Sequence, residues 1–208
     1  MSPRPRIRRV VAAAIVLATA FASACQMTHD WHGSPVDPPA PAPALALTAG
    51  GGRAFDLAQE RGKVVLVFFG YTHCPDVCPT TLADWSKARK LLGADTAGVR
   101  WVFVSVDPER DSPDTAAAYA RRFDPAFVGL SGTPAQLEAV RAAWGVAAVP
   151  ETPQADPHAA HGAGQAAPMT MVSHTPRTFV VDGEGRLRLL FDPQSRPEGI
   201  AADVKALL

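Results

Sequence analysis

Two hydrophobic patterns alternate along most of this chain. A continuous apolar run at 63–69 and a second, largely apolar segment at 99–106 are typical of strands that are buried on both faces of a sheet. Segments whose apolar residues recur with helical spacing follow these strands. Thr133 and Gln136 predict a capping box at the start of the helical segment 133–144. The other predicted elements are a short hairpin formed by 45–47 and 53–57, helices at 80–92, 112–123, 133–144 and 196–208, and strands at 127–130, 169–173, 177–181 and 186–191.

This order of elements predicts the fold. Alternating strands and helices, then a terminal hairpin and helix, indicate a thioredoxin-like α/β sandwich, with a central mixed β-sheet flanked by helices and an N-terminal hairpin extension. The turn at 182–185, Asp-Gly-Glu-Gly, is a strong signal for the terminal hairpin. Residues 45–208 are predicted to form one domain. Residues 147–168, rich in Ala, Pro, Gly and His, break the pattern and are predicted to be a mobile loop.

The first 24 residues resemble an export signal rather than part of the fold. A basic segment precedes the apolar run 10–21, and Ala22-Ser23-Ala24 offers small residues for cleavage. The apolar run is shorter than the ~20 residues of a spanning helix. Cys25 follows directly, which predicts a lipoprotein signal in which Cys25 is acylated; plain cleavage or an uncleaved anchor remains an alternative. An odd number of cysteines fits lipidation, because a third thiol needs a separate role.

Export would place the protein at the periplasmic face of a bacterial membrane. Residues 25–44, rich in Pro and Ala, are predicted to be a flexible tether between the membrane surface and the domain. The chain has 20 basic and 20 acidic residues, and loss of the four arginines in the signal leaves a net charge of −4. With neither a basic patch nor a basic stripe, a nucleic-acid partner is not expected.

Two cysteines four residues apart carry the most specific chemistry. Cys74 and Cys78 lie between the apolar run ending at Phe69 and the helical segment that follows. The sulfurs are therefore expected at a helix N-terminus, where backbone N–H groups favour thiolate over thiol. Residues at i and i+4 share one side of a helical turn, so the pair can close into a disulfide or share a metal ion. The site is predicted to be redox-active, metal-binding, or both.

Other interpretations of the cysteine pair are weaker. A structural disulfide is one, but the domain is large enough to need no cross-link, and closing so short a loop stabilises little. A closed zinc site is another, but a second cysteine pair is missing. His174, just before the strand at 177–181, is the expected third ligand. Two thiolates and an imidazole suit Cu(I), whereas Cu(II) would need a fourth oxygen or water ligand.

Three sequence blocks resemble the Sco/SenC family of copper-binding, thioredoxin-like proteins. They are the run 69–79 (FGYTHCPDVCP), the run 104–111 (VSVDPERD), and His174 with Phe179 and Asp182-Gly183. The blocks occur in order over roughly residues 44–208. The resemblance implies that Cys74, Cys78 and His174 are copper ligands. It also implies a role in assembling the binuclear CuA centre of cytochrome c oxidase, as copper donor, as thiol reductant of the recipient subunit, or both.

Three further residues near these blocks are candidates for supporting roles. Asp107 follows the second buried strand, where it is expected either to accept hydrogen bonds near the cysteines or tune copper, or to cap the following turn. His73 is expected to support the site rather than ligate. Pro176 resembles the cis-proline of thioredoxin-type reductases, which would favour disulfide exchange with protein substrates.

Additional histidines and methionines suggest an accessory copper site. They are His158, His161, Met169 and Met171 in and beside the predicted loop, with Met27, His29 and His32 in the tether. The alternative is a polar low-complexity insert whose histidines are incidental.

The leading hypothesis is a copper metallochaperone that docks on the CuA-bearing subunit of cytochrome c oxidase and hands the ion over by ligand exchange. Other periplasmic copper chaperones or thiol reductases are further candidate partners. The alternative is a periplasmic thiol-disulfide reductase that acts without metal, with Cys74 attacking and Cys78 resolving. A redox or copper sensor is a third hypothesis. His174 distinguishes the first two, because a dithiol reductase does not need it.

Overall fold

The structure is a computed structural model that describes residues 29–151, 171–174 and 176–208, with 148–151 and 171–174 described by their backbone. The chain divides into two units, residues 1–30 and 31–208, and the second contains every element named below. Within the described residues the strands are β1 (Ser34–Pro41), β2 (Ala46–Ala49), β3 (Arg53–Asp56), β4 (Val64–Gly70), β5 (Val99–Ser105), β6 (Val128–Ser131), β7 (Ala148–Glu151), β8 (Met171–His174), β9 (Thr178–Val181) and β10 (Arg186–Phe191). The helices are α1 (Val77–Leu92), α2 (Pro113–Arg121), α3 (Pro134–Trp144) and α4 (Pro197–Leu207).

A mixed sheet of eight strands, in the order β1-β10-β9-β4-β5-β6-β2-β3, is the centre of the second unit. β4, β5 and β6 are parallel neighbours, and β9 joins β4 antiparallel. β2 and β3 form the predicted hairpin. The predicted thioredoxin-like fold, with helices on a mixed sheet and an N-terminal hairpin, is therefore confirmed.

The continuous apolar run of β4 is explained by burial on both faces. Alternate residues point to opposite sides, so Leu66 and Phe68 join one core cluster while Val67 and Phe69 join the other. The first cluster lies against α1, α2 and α4, and the second lies against α3 and the β2–β3 hairpin. Both faces need apolar side chains, which is why the run shows no polar alternation.

Local signals in the sequence locate several boundaries correctly. Thr133 and Gln136 form the predicted capping box at the start of α3. Ser112 accepts a hydrogen bond from the backbone N–H of Thr115 and caps α2. In the turn between β9 and β10, the Asp182 carboxylate accepts hydrogen bonds from the backbone N–H groups of Glu184 and Arg186. These are local interactions, so the sequence carries them directly.

The prediction of a flexible tether through residue 44 is wrong for residues 34–41. They form β1, which pairs antiparallel with β10 at the edge of the sheet, with an irregularity between Pro35 and Ala40. Prolines lack a donor but are tolerated on an edge strand, where one side of the backbone needs no partner. The buried carboxylate of Asp203 on α4 holds the start of this segment by accepting hydrogen bonds from the backbone N–H groups of His32 and Gly33.

The predicted mobile loop at 147–168 also needs correction at its start. The backbone of residues 148–151 forms β7, which pairs antiparallel with β8 in a separate two-stranded sheet. Most of the predicted loop, 152–168, lies outside the described residues. Among the residues that the structure does describe, no helix has the length and apolar character needed to cross a membrane.

Candidate metal and thiol site

Cys74 and Cys78 lie where β4 ends and α1 begins. Cys74 is half-buried in the connecting loop, and Cys78 is fully buried in the first turn of α1. The backbone N–H of Cys78 donates to the Sγ atom of Cys74 at 3.4 Å, and no disulfide joins the two sulfurs. A hydrogen bond from the N-terminus of a helix favours negative charge on the accepting sulfur. The sulfur of Cys74 is thus the one prepared for nucleophilic attack or for binding a soft metal.

Cys78 has the opposite environment. The side-chain hydrogen bond with Cys74 and burial raise the pKa of the Cys78 thiol well above its usual value, and charge on Cys74 and on Asp111 raises it further. A hydrogen bond from the backbone of Tyr71 lowers this pKa but does not offset the other effects. At neutral pH the thiol of Cys78 is therefore protonated and buried, whereas that of Cys74 is accessible.

Gly70, the last residue of β4, makes room for the Cys78 sulfur. A Cβ atom at this position would lie 2.8 Å from Sγ of Cys78 and 2.9 Å from the ring of Phe103. Real Cβ atoms do not approach other atoms this closely. Glycine is therefore required here by the close packing of the cysteine turn on β4.

A buried carboxylate holds the loop that precedes Cys74. Asp111 is fully buried and accepts hydrogen bonds from the backbone N–H of Thr72 at 2.8 Å and from its Oγ1 at 2.5 Å. The hydroxyl of Ser105, the last residue of β5, donates to the same carboxylate at 2.6 Å. Three donors compensate for burial of the charge. The network connects β5 to the cysteine loop and fixes its position.

Asp107, a predicted site residue, is buried, and its carboxylate pairs with Arg110. Its carboxylate accepts a hydrogen bond from Nε of Arg110, whose guanidinium lies over the ring of Tyr71 at 5.8 Å. Arg110 thus connects Asp107 to Tyr71 at the start of the cysteine loop, and the supporting role of Asp107 stays a prediction. Asp111, four residues later, makes the direct hydrogen bonds to the loop. Asp111 lies in the same sequence block but is not among the predicted site residues.

His73 lies on the exposed side of the loop. Its Nδ1 atom is 3.1 Å from the Thr72 hydroxyl and 3.8 Å from an Asp111 carboxylate oxygen. These neighbours connect His73 to the network that supports Cys74. The supporting role of His73 stays a prediction.

His174 precedes by four residues the strand β9, which begins near the end of the sheet that carries the cysteine loop. His174 ends β8, where it pairs with Ala148, and β9 begins four residues later at Thr178. Thr178 pairs with Phe68 near the end of β4. Because β9 runs antiparallel to β4, it begins at the end of the sheet from which the cysteine loop leaves. The side chain of His174 lies outside the described residues, and its role as a ligand stays a prediction.

The remaining predicted site residues lie mostly outside the described part of the chain. This holds for Cys25, His158, His161 and Met169, for the side chain of Met171, and for the peptide bond before Pro176. Pro176 itself is half-buried beside Arg177, which forms an ion pair with Asp192. In the predicted tether, the Nδ1 atom of His32 lies 3.0 Å from the Asp203 carboxylate.

Comparison with known proteins identifies the family. The sequence model of the SCO1/SenC family matches residues 38–208. The chain belongs to the SCO1/SenC family. This family acts in copper handling and in the assembly of cytochrome c oxidase.

Individual SCO1/SenC relatives resemble the chain over most of its length. Protein SenC of Rhodobacter capsulatus is 30% identical over 76% of this chain and 70% of its own. The apo Sco1 protein of Thermus thermophilus is 39% identical, with a TM-score of 0.73, over 88% of this chain and 99% of its own. ScoI of Bradyrhizobium japonicum, solved with copper bound, is 38% identical, with a TM-score of 0.68, over 81% of this chain and 100% of its own.

Proposed function

We propose that this protein is a copper metallochaperone that supplies copper to the CuA centre of cytochrome c oxidase, with Cys74, Cys78 and His174 as its ligands. The observation that carries the proposal is the pair of adjacent, reduced cysteines at the N-terminus of α1 in a SCO1/SenC protein. Soft thiolate ligands select Cu(I). ScoI of Bradyrhizobium japonicum, which shares 38% of its residues with this chain, binds copper.

In this proposal copper is the cargo and the chain controls access to it. Cys74 is the more exposed sulfur and is the one that a recipient thiol can replace first. Cys78 is enclosed by the core and loses its proton when the metal binds. Asp111 holds the loop through Thr72 so that the sulfur of Cys74 keeps its position during transfer.

An anaerobic Cu(I) titration of the reduced chain against a competing chelator tests the ligand set. We expect one tightly bound copper ion per chain, and weaker binding in Cys74→Ser, Cys78→Ser and His174→Ala. Cys25→Ser and His161→Ala are matched controls that remove a thiol and an imidazole elsewhere in the sequence. Full affinity in His174→Ala would overturn the assignment of this ligand. Reduced copper stoichiometry in His161→Ala would instead support the accessory site of the 158–171 region.

The unequal exposure of the two thiols favours a second function, reduction of a disulfide in the recipient subunit. The Cys74 thiolate would attack the target disulfide, forming a mixed disulfide and releasing one target thiolate. Cys78, after losing its proton to solvent, would displace the second target thiolate and leave a Cys74–Cys78 disulfide. Two electrons pass from the dithiol to the target.

Cys78→Ser tests the reductase function, because it removes the resolving thiol and leaves Cys74 to form a stable mixed disulfide. We expect this variant to trap an oxidised CuA-bearing subunit covalently, with Cys74→Ser as the control that does not. Equal trapping by both variants would contradict the proposed order of attack. Copper affinity and trapping are separate measurements, so each function can fail without the other.

The proposed location is the periplasmic face of a bacterial membrane, with Cys25 acylated. The supporting features are the basic and apolar segments that precede Cys25 and the small residues next to it. Mass spectrometry of the chain recovered from membranes should show an acylated Cys25. In Cys25→Ser the lipid should be absent, and an unchanged membrane fraction would favour an uncleaved anchor.

A further inference from the structure

A cavity of about 280 Å³ lies at the end of the sheet opposite the cysteines. Its lining includes Arg53 of β3, Arg100 near the start of β5 and Arg121 at the end of α2. β4 and β5 are parallel, and the cysteine loop follows the carboxyl end of β4, whereas Arg100 is near the amino end of β5. The cavity is therefore separate from the thiol site.

The three guanidinium groups carry more positive charge than their neighbours neutralise. Arg100 forms an ion pair with Glu60, with Nε 3.1 Å from the carboxylate. Nε of Arg53 donates to the backbone carbonyl of Gly50 at 3.3 Å, which leaves its charge uncompensated. Within the part of the chain that the structure describes, neither Arg53 nor Arg121 has an acidic side chain at ion-pair distance. Two positive charges that face one cavity without a carboxylate partner indicate a site for an anion.

The glycine turn between β2 and β3 brings Arg121 and Arg53 together. Gly51 and Gly52 have φ angles of 72° and 70°, which favour glycine. A Cβ atom on Gly50 would lie 2.6 Å from Cβ of Ala117 and 3.4 Å from Nη2 of Arg121, so glycine lets the turn pack directly on α2. The nearby Asp114 carboxylate accepts a hydrogen bond from the backbone N–H of Gly51 at 2.7 Å. This carboxylate orders the turn and does not line the cavity.

We propose that this cavity binds a small oxyanion of the phosphate class. Guanidinium groups present paired N–H donors that match phosphate oxygens. The volume lies just below the range of ordinary small-molecule pockets and has room for a phosphate group. Either inorganic phosphate or the phosphodiester of a lipid headgroup supplies this chemistry. The proposal does not depend on copper, because no residue of the cavity belongs to the thiol site.

Calorimetric titration of the full chain with inorganic phosphate at low ionic strength tests the site. We expect saturable binding that is weakened about tenfold or more in Arg53→Gln and in Arg121→Gln, since each removes hydrogen bonds to a charged ligand. Arg122→Gln is the matched control, because its guanidinium lies 6.0 Å over the ring of Tyr119 and does not line the cavity. Non-saturable binding, or equal weakening by Arg122→Gln, would overturn the proposal.

A parallel titration with glycerophosphoglycerol, a soluble phosphodiester, distinguishes a lipid headgroup from inorganic phosphate as the bound anion. Tighter binding of the diester than of inorganic phosphate, lost in Arg53→Gln and Arg121→Gln, would assign the site to a lipid headgroup. Tighter binding of inorganic phosphate with the same loss would assign it to the free anion. If the two variants bind both probes as tightly as the unaltered chain does, the arginines do not form the site.

Discussion

The carboxylate of Asp111 accepts hydrogen bonds from both the backbone N–H and the hydroxyl of Thr72, two residues before Cys74. Asp111 lies after β5 and Thr72 after β4, so the contact joins the loops that leave two parallel strands. Ser105 adds a third donor from the end of β5. The position of the cysteine loop therefore depends on a buried acid 37 residues later in the sequence than Cys74.

Asp111→Asn should lower the free energy of unfolding by about 1–3 kcal/mol, because the amide cannot accept all three hydrogen bonds and leaves a buried donor unsatisfied. Denaturant unfolding measures this change. Glu109→Gln makes the same chemical change at an exposed position two residues away and should have an effect within about 0.5 kcal/mol. We also expect weaker Cu(I) binding in Asp111→Asn. Unchanged stability and affinity would show that Asp111 does not hold the loop.

Gly70→Ala should destabilise the protein by about 1–3 kcal/mol, since the new methyl group would overlap the Cys78 sulfur and the Phe103 ring. The displaced Cys78 should also bind Cu(I) less tightly, as measured by chelator competition. Gly183→Ala is the control, because its Cβ would meet no atom closer than 3.5 Å. Equal stability of the two variants would argue against close packing at Gly70.

Iodoacetamide should modify Cys74 and spare Cys78 in the native reduced protein. Cys78 is fully buried, and its raised pKa keeps it as the unreactive thiol at neutral pH. Peptide mass spectrometry on a Cys25→Ser background, which lacks the third thiol, measures the two modifications separately. Both cysteines should react after unfolding in denaturant. Faster native modification of Cys78 than of Cys74 would reverse the roles assigned to them.

Asp182 should make stability depend on pH in the acid range. Burial alone would raise the pKa of this carboxyl, but hydrogen bonds from the backbone and side chain of Arg186 and from Arg188 outweigh it and hold the pKa below its usual value. The resulting stabilisation is complete above the unfolded pKa of about 3.9 and is lost as the pH falls through the lower folded pKa.

The free energy of unfolding should therefore fall less steeply in Asp182→Asn than in the unaltered chain as the pH is lowered from about 5 to about 2. Unfolding by denaturant at a series of pH values measures this slope. Asp192→Asn is the control, because the Asp192–Arg177 pair is exposed and surface pairs contribute little. A slope in Asp182→Asn equal to that of the unaltered chain would contradict the assigned role of Asp182.

Local features of the fold could be predicted because neighbouring residues determine them. The capping box of Thr133 and Gln136 and the turn after β9 depend on contacts across a few residues. The uninterrupted hydrophobic run of β4 indicated burial on both faces. The edge strand β1 was missed because its proline-rich sequence resembles a linker, and only pairing with β10, at the other end of the chain, makes it a strand.

The sequence by itself determined the thiol pair, its place at the start of a helix, and the resemblance that the family match confirms. Spacing and local hydrogen bonding are encoded in consecutive residues, so these features do not depend on how distant segments pack. The tertiary structure decided which thiol is accessible, that Asp111 rather than Asp107 bonds to the cysteine loop, and that three arginines from separate elements line one cavity. Such relationships depend on how distant segments pack, and the distances and burial that define them exist only in the folded chain.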